Sequence, residues 1–167
     1  MTRGSQKGFA RMALFVLLSL LVLAAAFLFA FQTMKEKARV APASRSVETS
    51  ELKDGMVVRM AVGSAQAAAE VVRSAGKRTQ GLSGRESLPE DTGMLFVFEE
   101  KGAWTFWNKD MRFALDLVWI NGDTVVDVHE NLPAFAGAPV ALTPQAKANI
   151  VLEVNAGFVK AHSIQKG

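Results

Sequence analysis

The chain has 167 residues, 50% of them hydrophobic and 21% charged, which is about one domain's worth of length and excludes a disordered or collagen-like polymer. Its net charge of +3 is unevenly placed: residues 1–45 hold seven Lys/Arg against Glu36 alone, a tail of +6, while the remainder holds 12 basic and 15 acidic residues, a body of −3. A slightly acidic body offers no electrostatic footprint for DNA or RNA, so nucleic acid is not an expected partner. With no cysteine in the chain, disulfides, thiolate zinc sites, Fe–S clusters, cysteine nucleophiles and a lipidated N-terminal Cys are excluded together. Two histidines cannot form a three-His metal site.

Residues 1–11 form a basic segment with Arg3, Lys7 and Arg11, followed by 20 residues from Met12 to Phe31 in which Ser19 is the sole polar side chain. As a helix this run rises about 30 Å, the thickness of the hydrocarbon layer. A buried core helix would carry a polar face, and this run carries none. The larger positive excess precedes the span, so the positive-inside rule predicts a cytoplasmic N-terminus and a body on the periplasmic or extracellular side, with the lipid bilayer as partner of residues 12–31. Ala41-Pro42-Ala43 resembles a signal-peptidase site, but the apolar run exceeds a signal peptide's 7–15 residues and a charged stretch separates the two, so the segment reads as an uncleaved anchor. Residues 32–55 alternate charged and small residues without an apolar period and read as a linker. The domain then covers residues 56–167.

Within it, Met56–Val62 and Ala67–Arg73 are β-compatible runs joined by a tight turn at Gly63-Ser64, which predicts a hairpin. Ser74 is positioned to cap a short helical turn through Lys77, Arg78 and Leu82. Residues 83–93 contain Gly84, Pro89 and Gly93 and read as an irregular loop. Met94–Phe98 is a continuous apolar run, expected of a strand buried on both faces. Residues 103–110 read as a strand with an aromatic first half and a polar second half. Leu115–Ile120 is a strand with Asp116 in apolar surroundings, and Asn121-Gly122-Asp123 signals a hairpin into Thr124–Glu130. Asn149–Val154 is a last strand and Phe158–Ile164 a short terminal helix. These seven strands predict a mainly β domain: a compact antiparallel β-sandwich or partly closed barrel with one or two short helices, preceded by a single transmembrane helix.

Five ordered blocks carry a resemblance: Arg78-x-x-Gly81-Leu82-x-x-Arg85-x-x-Leu88, Gly93-Met94-Leu95-Phe96-Val97-Phe98, Phe106-Trp107-x-Lys109, Leu115-Asp116, and Val151-Leu152-Glu153-Val154-Asn155-Ala156-Gly157. Together they resemble the DUF192 (UPF0127) family from about Val57 to Ile164. The resemblance implies a compact, mostly β fold behind an export signal or anchor, and it implies no activity. Three places depart from the family pattern. Gly81-Leu82-Ser83 stands for Gly-Leu-Met, and Asn108-Lys109-Asp110-Met111 stands for Met-Lys-Asn-Thr. Members commonly continue into a Gly-Asp turn and a further strand near the point where this sequence reads Gln165-Lys166-Gly167.

The matching blocks supply the candidate ligand-binding residues Arg78, Arg85, Trp107, Lys109, Asp110, Asp116 and Glu153. On the functional reading, Arg78 or Arg85 holds a carboxylate-bearing or hydroxylated small molecule and Asp116 orients it. On the structural reading, Asp116 is a buried carboxylate needing a cationic or N–H partner, with Arg or Lys the expected neighbour in an ion pair that fixes loop to sheet. Trp104, Phe106, Trp107 and Trp119 either stack against a sugar or fill the core. His129 with Glu130 or Asp127 is a candidate acid/base pair, and the same residue types occur as ordinary surface groups. Ser74-x-x-Lys77 has a spacing that chance supplies readily. No phosphate loop or dinucleotide fingerprint occurs, and neither a cofactor nor a metal is predicted. The leading function is a small-ligand-binding or interaction module outside the membrane. The alternatives are a hydrolase using Asp110, Asp116 or Glu153 on an envelope-associated substrate, and an assembly partner of an envelope protein.

Overall fold

The first strand, β1 (Val57–Val62), turns through Gly63-Ser64 into β2 (Ala65–Val72). The two pair antiparallel from Val57↔Glu70 to Val62↔Ala65, as the hairpin reading requires. A short helix, α1 (Ala75–Gln80), and an irregular loop follow, and the chain returns as the long strand β3 (Thr92–Gly102). After β4 (Phe106–Trp107), a second hairpin joins β5 (Leu115–Asn121) to β6 (Thr124–Leu132). The fold closes with β7 (Ala141–Leu142), β8 (Ala148–Asn155) and the helical turn α2 (Phe158–Ala161). This computed structural model describes residues 49–167. The expected basic segment, the 12–31 span and the linker as far as residue 48 lie outside the described residues, among which no helix is long and apolar enough to cross a membrane.

Six strands form one sheet in the order β1-β2-β3-β8-β5-β6, and β4 pairs with β7 in a separate two-stranded ribbon. The expectation of an antiparallel sandwich or partly closed barrel is corrected here: β2 and β3 run parallel, the sheet is mixed, and no barrel closes. Residues 73–91 explain the parallel pair, since they form a crossover carrying α1 rather than a hairpin turn, and parallel neighbours need such a connection. The last strand in sequence, β8, inserts between β3 and β5. Those three central strands are covered on both faces, which is why their sequences are apolar without alternation.

The two faces have separate cores. Leu95, Val97, Val118, Ile120, Leu152 and Val154 point to one, where β2 alanines, Leu52 and the terminal Phe158, Val159 and Ile164 cover them. Met94, Phe96, Phe98, Leu117, Trp119 and Val151 point to the other, beneath Leu82, Leu88, Phe106 and Met111. Leu52 is buried in the first core, so the packed body reaches back into the segment read as linker.

Local signals account for the element ends. Gly122 opens the β5–β6 turn at φ 61°, the first loop position at which a type II′ turn favours glycine. Ser74 precedes α1, but its side chain makes no capping bond; the Asp54 carboxylate accepts from the amides of Arg73 and Ser74 instead. Hydrogen bonds from Ser74 and the Arg73 amide pull the Asp54 carboxyl down to about 2. α2 stops before the expected Ile164 because Ser163 is left-handed, at φ 52°. Strand β4 is shorter than expected: Asn108 turns the chain, accepting from the Val140 amide (2.7 Å) and donating to the Pro133 carbonyl (2.9 Å). That exchange pins the 133–140 loop, and with it β7, against β4.

Gly93 marks a close approach rather than a turn. A Cβ there would lie 2.6 Å from the Glu153 carbonyl oxygen, in the β3–β8 pairing Gly93↔Val154. Forcing the two central strands apart is overpacking, so Gly93→Ala is expected to lower the unfolding free energy by about 2 kcal/mol. A urea midpoint equal to that of the wild type would contradict this packing.

Candidate functional site

A cleft with a volume of about 360 Å³ opens on the Phe96/Trp119 face between α1 with its following turn and the 104–111 segment. Its apolar wall is built by alternation: β3 sends Phe96 and Phe98 to this face, and β4 sends Phe106 down onto them. Phe106 meets Phe96 edge-on at 4.7 Å. Phe98 stacks on Trp104 at 4.1 Å with planes 9° apart, and the Arg78 guanidinium covers the Phe98 ring at 4.7 Å. Gly102 makes room for this, since a Cβ there would come within 2.8 Å of the Trp104 ring. Trp119 lies beneath, fully buried, its indole N–H donating to the Trp104 carbonyl (3.0 Å).

Glu153 lines the same cleft and is only 4% exposed. Its position follows from register: on β8 it faces Met94 of β3 on one side and Leu117 of β5 on the other, so apolar side chains occupy the places where counter-charges could sit. Burial pushes its carboxyl up to about 8, leaving a largely protonated acid at neutral pH. Among the described residues two buried side-chain polar atoms lack a hydrogen-bond partner, Glu153 Oε2 and Trp104 Nε1, and both belong to residues lining this cleft. Native folds rarely leave such atoms unpaired.

The remaining site candidates divide. Arg78 joins the cleft; its Nη1 donates to the carbonyls of Arg73 and Val97, holding the guanidinium over Phe98. Trp107 also lines the cleft and is 50% exposed, with the Lys109 ammonium 5.9 Å from its ring centre. Arg85 is drawn away from the cleft, into an ion pair with Glu70 at 2.7 Å. Asp110 lies outside, beside a shallow depression with Gly84 and Arg112, and holds a left-handed φ of 57°. Asp116 is fully buried on the opposite face of the sheet. It accepts from the Asn131 amide through Oδ1 and the Val159 amide through Oδ2, both at 2.9 Å. The Arg or Lys expected beside it is replaced by these two backbone donors, one of them in the first turn of α2.

The candidate acid/base group on β6 is also otherwise engaged. Asp127 is buried, and burial raises its carboxyl, but the Lys166 ammonium at 2.6 Å and the amides of Gln145 and Val128 outweigh that and lower it overall. His129 stands 3.9 Å from Asp127 and meets Trp119 edge-on at 5.2 Å. Sequence reasoning missed the wall of Phe96, Phe98, Leu82 and Met111 as cleft-forming, because each reads as ordinary core.

The DUF192 family model, described as "Uncharacterized ACR", matches residues 56–167. The chain belongs to the DUF192 family. A candidate transcription regulator from Sinorhizobium meliloti 1021 is similar in structure, 30% identical with a TM-score of 0.60, covering 70% of this chain and 93% of that one. A protein of unknown function from Novosphingobium aromaticivorans DSM 12444 is 20% identical with a TM-score of 0.61, covering 75% of this chain and 96% of that one, a likeness of fold alone. No curated protein matches the chain.

Two residues that depart from the usual DUF192 pattern, Ser83 and Met111, line the cleft and have structural uses. Ser83 donates to the Lys109 carbonyl at 2.7 Å, tying the turn after α1 to the 104–111 segment. Met111 is buried against the aromatic wall, so the rewritten stretch still closes one side of the cleft.

Proposed function

We propose that this DUF192 domain is a small-ligand-binding module, held outside the membrane by residues 12–31, with the aromatic cleft around Glu153 as its binding site. The observation that carries the reading is the buried, unpartnered Glu153 carboxyl in a cleft of suitable size. An unpaired polar group in an apolar wall costs stability, and a ligand supplying its partner is the simplest reason to retain it. A cleft of about 360 Å³ falls within the range of small-molecule sites, apolar with few polar groups. The anchor and its orientation rest on the apolar run and the charges beside it.

The hydrolase alternative would use Glu153 as a general acid, for which a raised carboxyl is suited. A carboxylate-based hydrolase needs a second group to act as base or nucleophile. Among the described residues lining the cleft there is no second carboxylate and no histidine, and binding is the better-supported reading. A transcription-regulator role, as named for the Sinorhizobium protein, draws no support as direct DNA binding from a −3 body or from helices of six and four residues.

Acrylamide quenching of tryptophan tests the reading. Trp107 is half-exposed at the cleft and Trp119 is buried. A cleft-bound aromatic fragment is expected to protect one accessible tryptophan of the full chain in detergent micelles, and Trp107→Phe is expected to abolish that protection. A fragment screen in which nothing protects Trp107 would contradict the reading.

A further inference from the structure

Taking the cleft as a ligand site, we infer the class of its ligand: a small planar molecule with an anionic group that pairs with Arg78 and an uncharged hydrogen-bond acceptor, an amide or carbonyl oxygen, that accepts from the Glu153 carboxylic acid. Three independent features of the cleft lead there.

The first is the setting of Glu153. It sits between Met94 and Leu117 on the sheet, with Oε2 unpartnered. Among the described residues no cation pairs with it, and burial favours its protonated form. A protonated carboxyl facing a cleft is a donor in search of an acceptor.

The second is Arg78. Among the described residues no carboxylate lies within ion-pair distance of it, and its hydrogen bonds run through Nη1 to two backbone carbonyls. The guanidinium is thus held in place by its own backbone and by the Phe98 ring, with its charge unmatched. Such a fixed fork suits a carboxylate.

The third is the wall. Phe96, Phe98 and Phe106 are buried, with Phe98 already in contact with Trp104 and Arg78, so the flat apolar surface open to a ligand is that of half-exposed Trp107 and the uncovered part of Trp104, which favours a planar body. An ammonium-bearing ligand is disfavoured twice: Arg78 repels it, and Glu153 would have to ionise among apolar neighbours to receive it.

Other charges facing Glu153 are few. Among the described residues, Arg78 is the one further ionisable side chain lining the cleft. Along the row of the sheet that holds Glu153, the next titratable groups are Glu70 beyond Met94 and His129 beyond Leu117, each two strands away, or about 10 Å. Glu70 is neutralised by Arg85.

Calorimetric titration of the full chain in detergent micelles with 4-carbamoylbenzoate and with 4-(aminomethyl)benzoate tests the class. The carbamoyl probe is expected to bind at pH 6.5 at least tenfold more tightly than the amine. Its affinity is expected to fall about tenfold at pH 9, where roughly one Glu153 in ten keeps its proton. Glu153→Gln, which preserves an N–H donor, should bind at both pH values without that fall. Glu153→Leu should fold and lose the carbamoyl probe, and Arg78→Gln should weaken it about tenfold at either pH. Equal or tighter binding of the amine, unchanged binding in Glu153→Leu, or no binding of either probe to the wild type would overturn the inferred class. Protection of Trp107 by fragments of other chemistry would still distinguish a wrong class from a cleft that binds nothing.

Discussion

Raising the pH from 4.5 to 8 is expected to cost the wild-type domain up to about 4–5 kcal/mol of stability, and the Glu153→Gln variant is expected to lack that loss. The Glu153 carboxyl titrates near 4.5 in the unfolded chain and at about 8 in the fold. Between those values the folded state holds a proton that the unfolded state has released, so stability falls with rising pH by about 1.4 kcal/mol per unit. The contribution is complete below 4.5 and gone above 8. Asp127 acts in the opposite sense: its carboxyl is lowered, so its contribution is present above its unfolded value of 3.8 and is lost as pH falls through its folded value. That window lies below the Glu153 window, and the two separate cleanly. Urea midpoints of wild type and Glu153→Gln at pH 5 and pH 8 measure the effect. Parallel pH profiles for the two proteins would place an ordinary, solvated carboxyl at this position.

Asp116→Ala is expected to destabilise the domain by about 3–5 kcal/mol while leaving the cleft's binding intact in the folded fraction. Asp116 is fully buried and takes both the Asn131 and the Val159 amides at 2.9 Å. A hydrogen bond to a charged acceptor contributes about 1.5–3 kcal/mol, and removing the carboxylate strands both donors in a dry interior. Asn131 is itself left-handed, at φ 57°, so part of what Asp116 holds is a strained residue within β6, where the β5–β6 register shifts between Leu115↔Leu132 and Leu117↔His129. Its other oxygen fixes the first turn of α2 against the sheet. A loss of this size corresponds to a melting temperature lower by roughly 15 °C. Asp116→Asn keeps one acceptor but turns an amide N–H toward the second donor, and an intermediate loss is expected. A variant within about 1 kcal/mol of wild type would mean that water or backbone rearrangement satisfies those amides.

Much of the fold could be read locally. The Gly63-Ser64 and Gly122-Asp123 turns fix two hairpins, and the apolar run at Met94–Phe98 marks a central strand, because these are short-range signals. The parallel β2–β3 pair was harder, since parallel and antiparallel strands share one composition. The clue lay in the length of 73–91, ample for a crossover. The insertion of β8 between β3 and β5 had no local signal, being decided by which apolar faces remain uncovered.

The site shows the same division. Glu153 and Arg78 could be chosen as candidates from the family blocks, but Asp116 and Glu153 look alike in sequence, each a carboxylate within an apolar strand. Register alone separates them: Asp116 points to the face closed by α2 and finds two amides, whereas Glu153 points to the face of the cleft and finds Met94 and Leu117. The aromatic wall was hidden for a related reason, since Phe96 and Phe98 are core residues on every side but one.

The state of the Glu153 carboxyl tests the central claim most directly. Its side-chain carboxyl carbon, labelled with ¹³C and assigned by its loss in Glu153→Gln, can be followed by NMR against pH in the full chain, with and without 4-carbamoylbenzoate. The predicted midpoint is about 8, moving upward when the probe binds the protonated form. A midpoint near 4.5, or one that saturating probe leaves unmoved, would contradict a donor carboxylic acid that meets a ligand in this cleft.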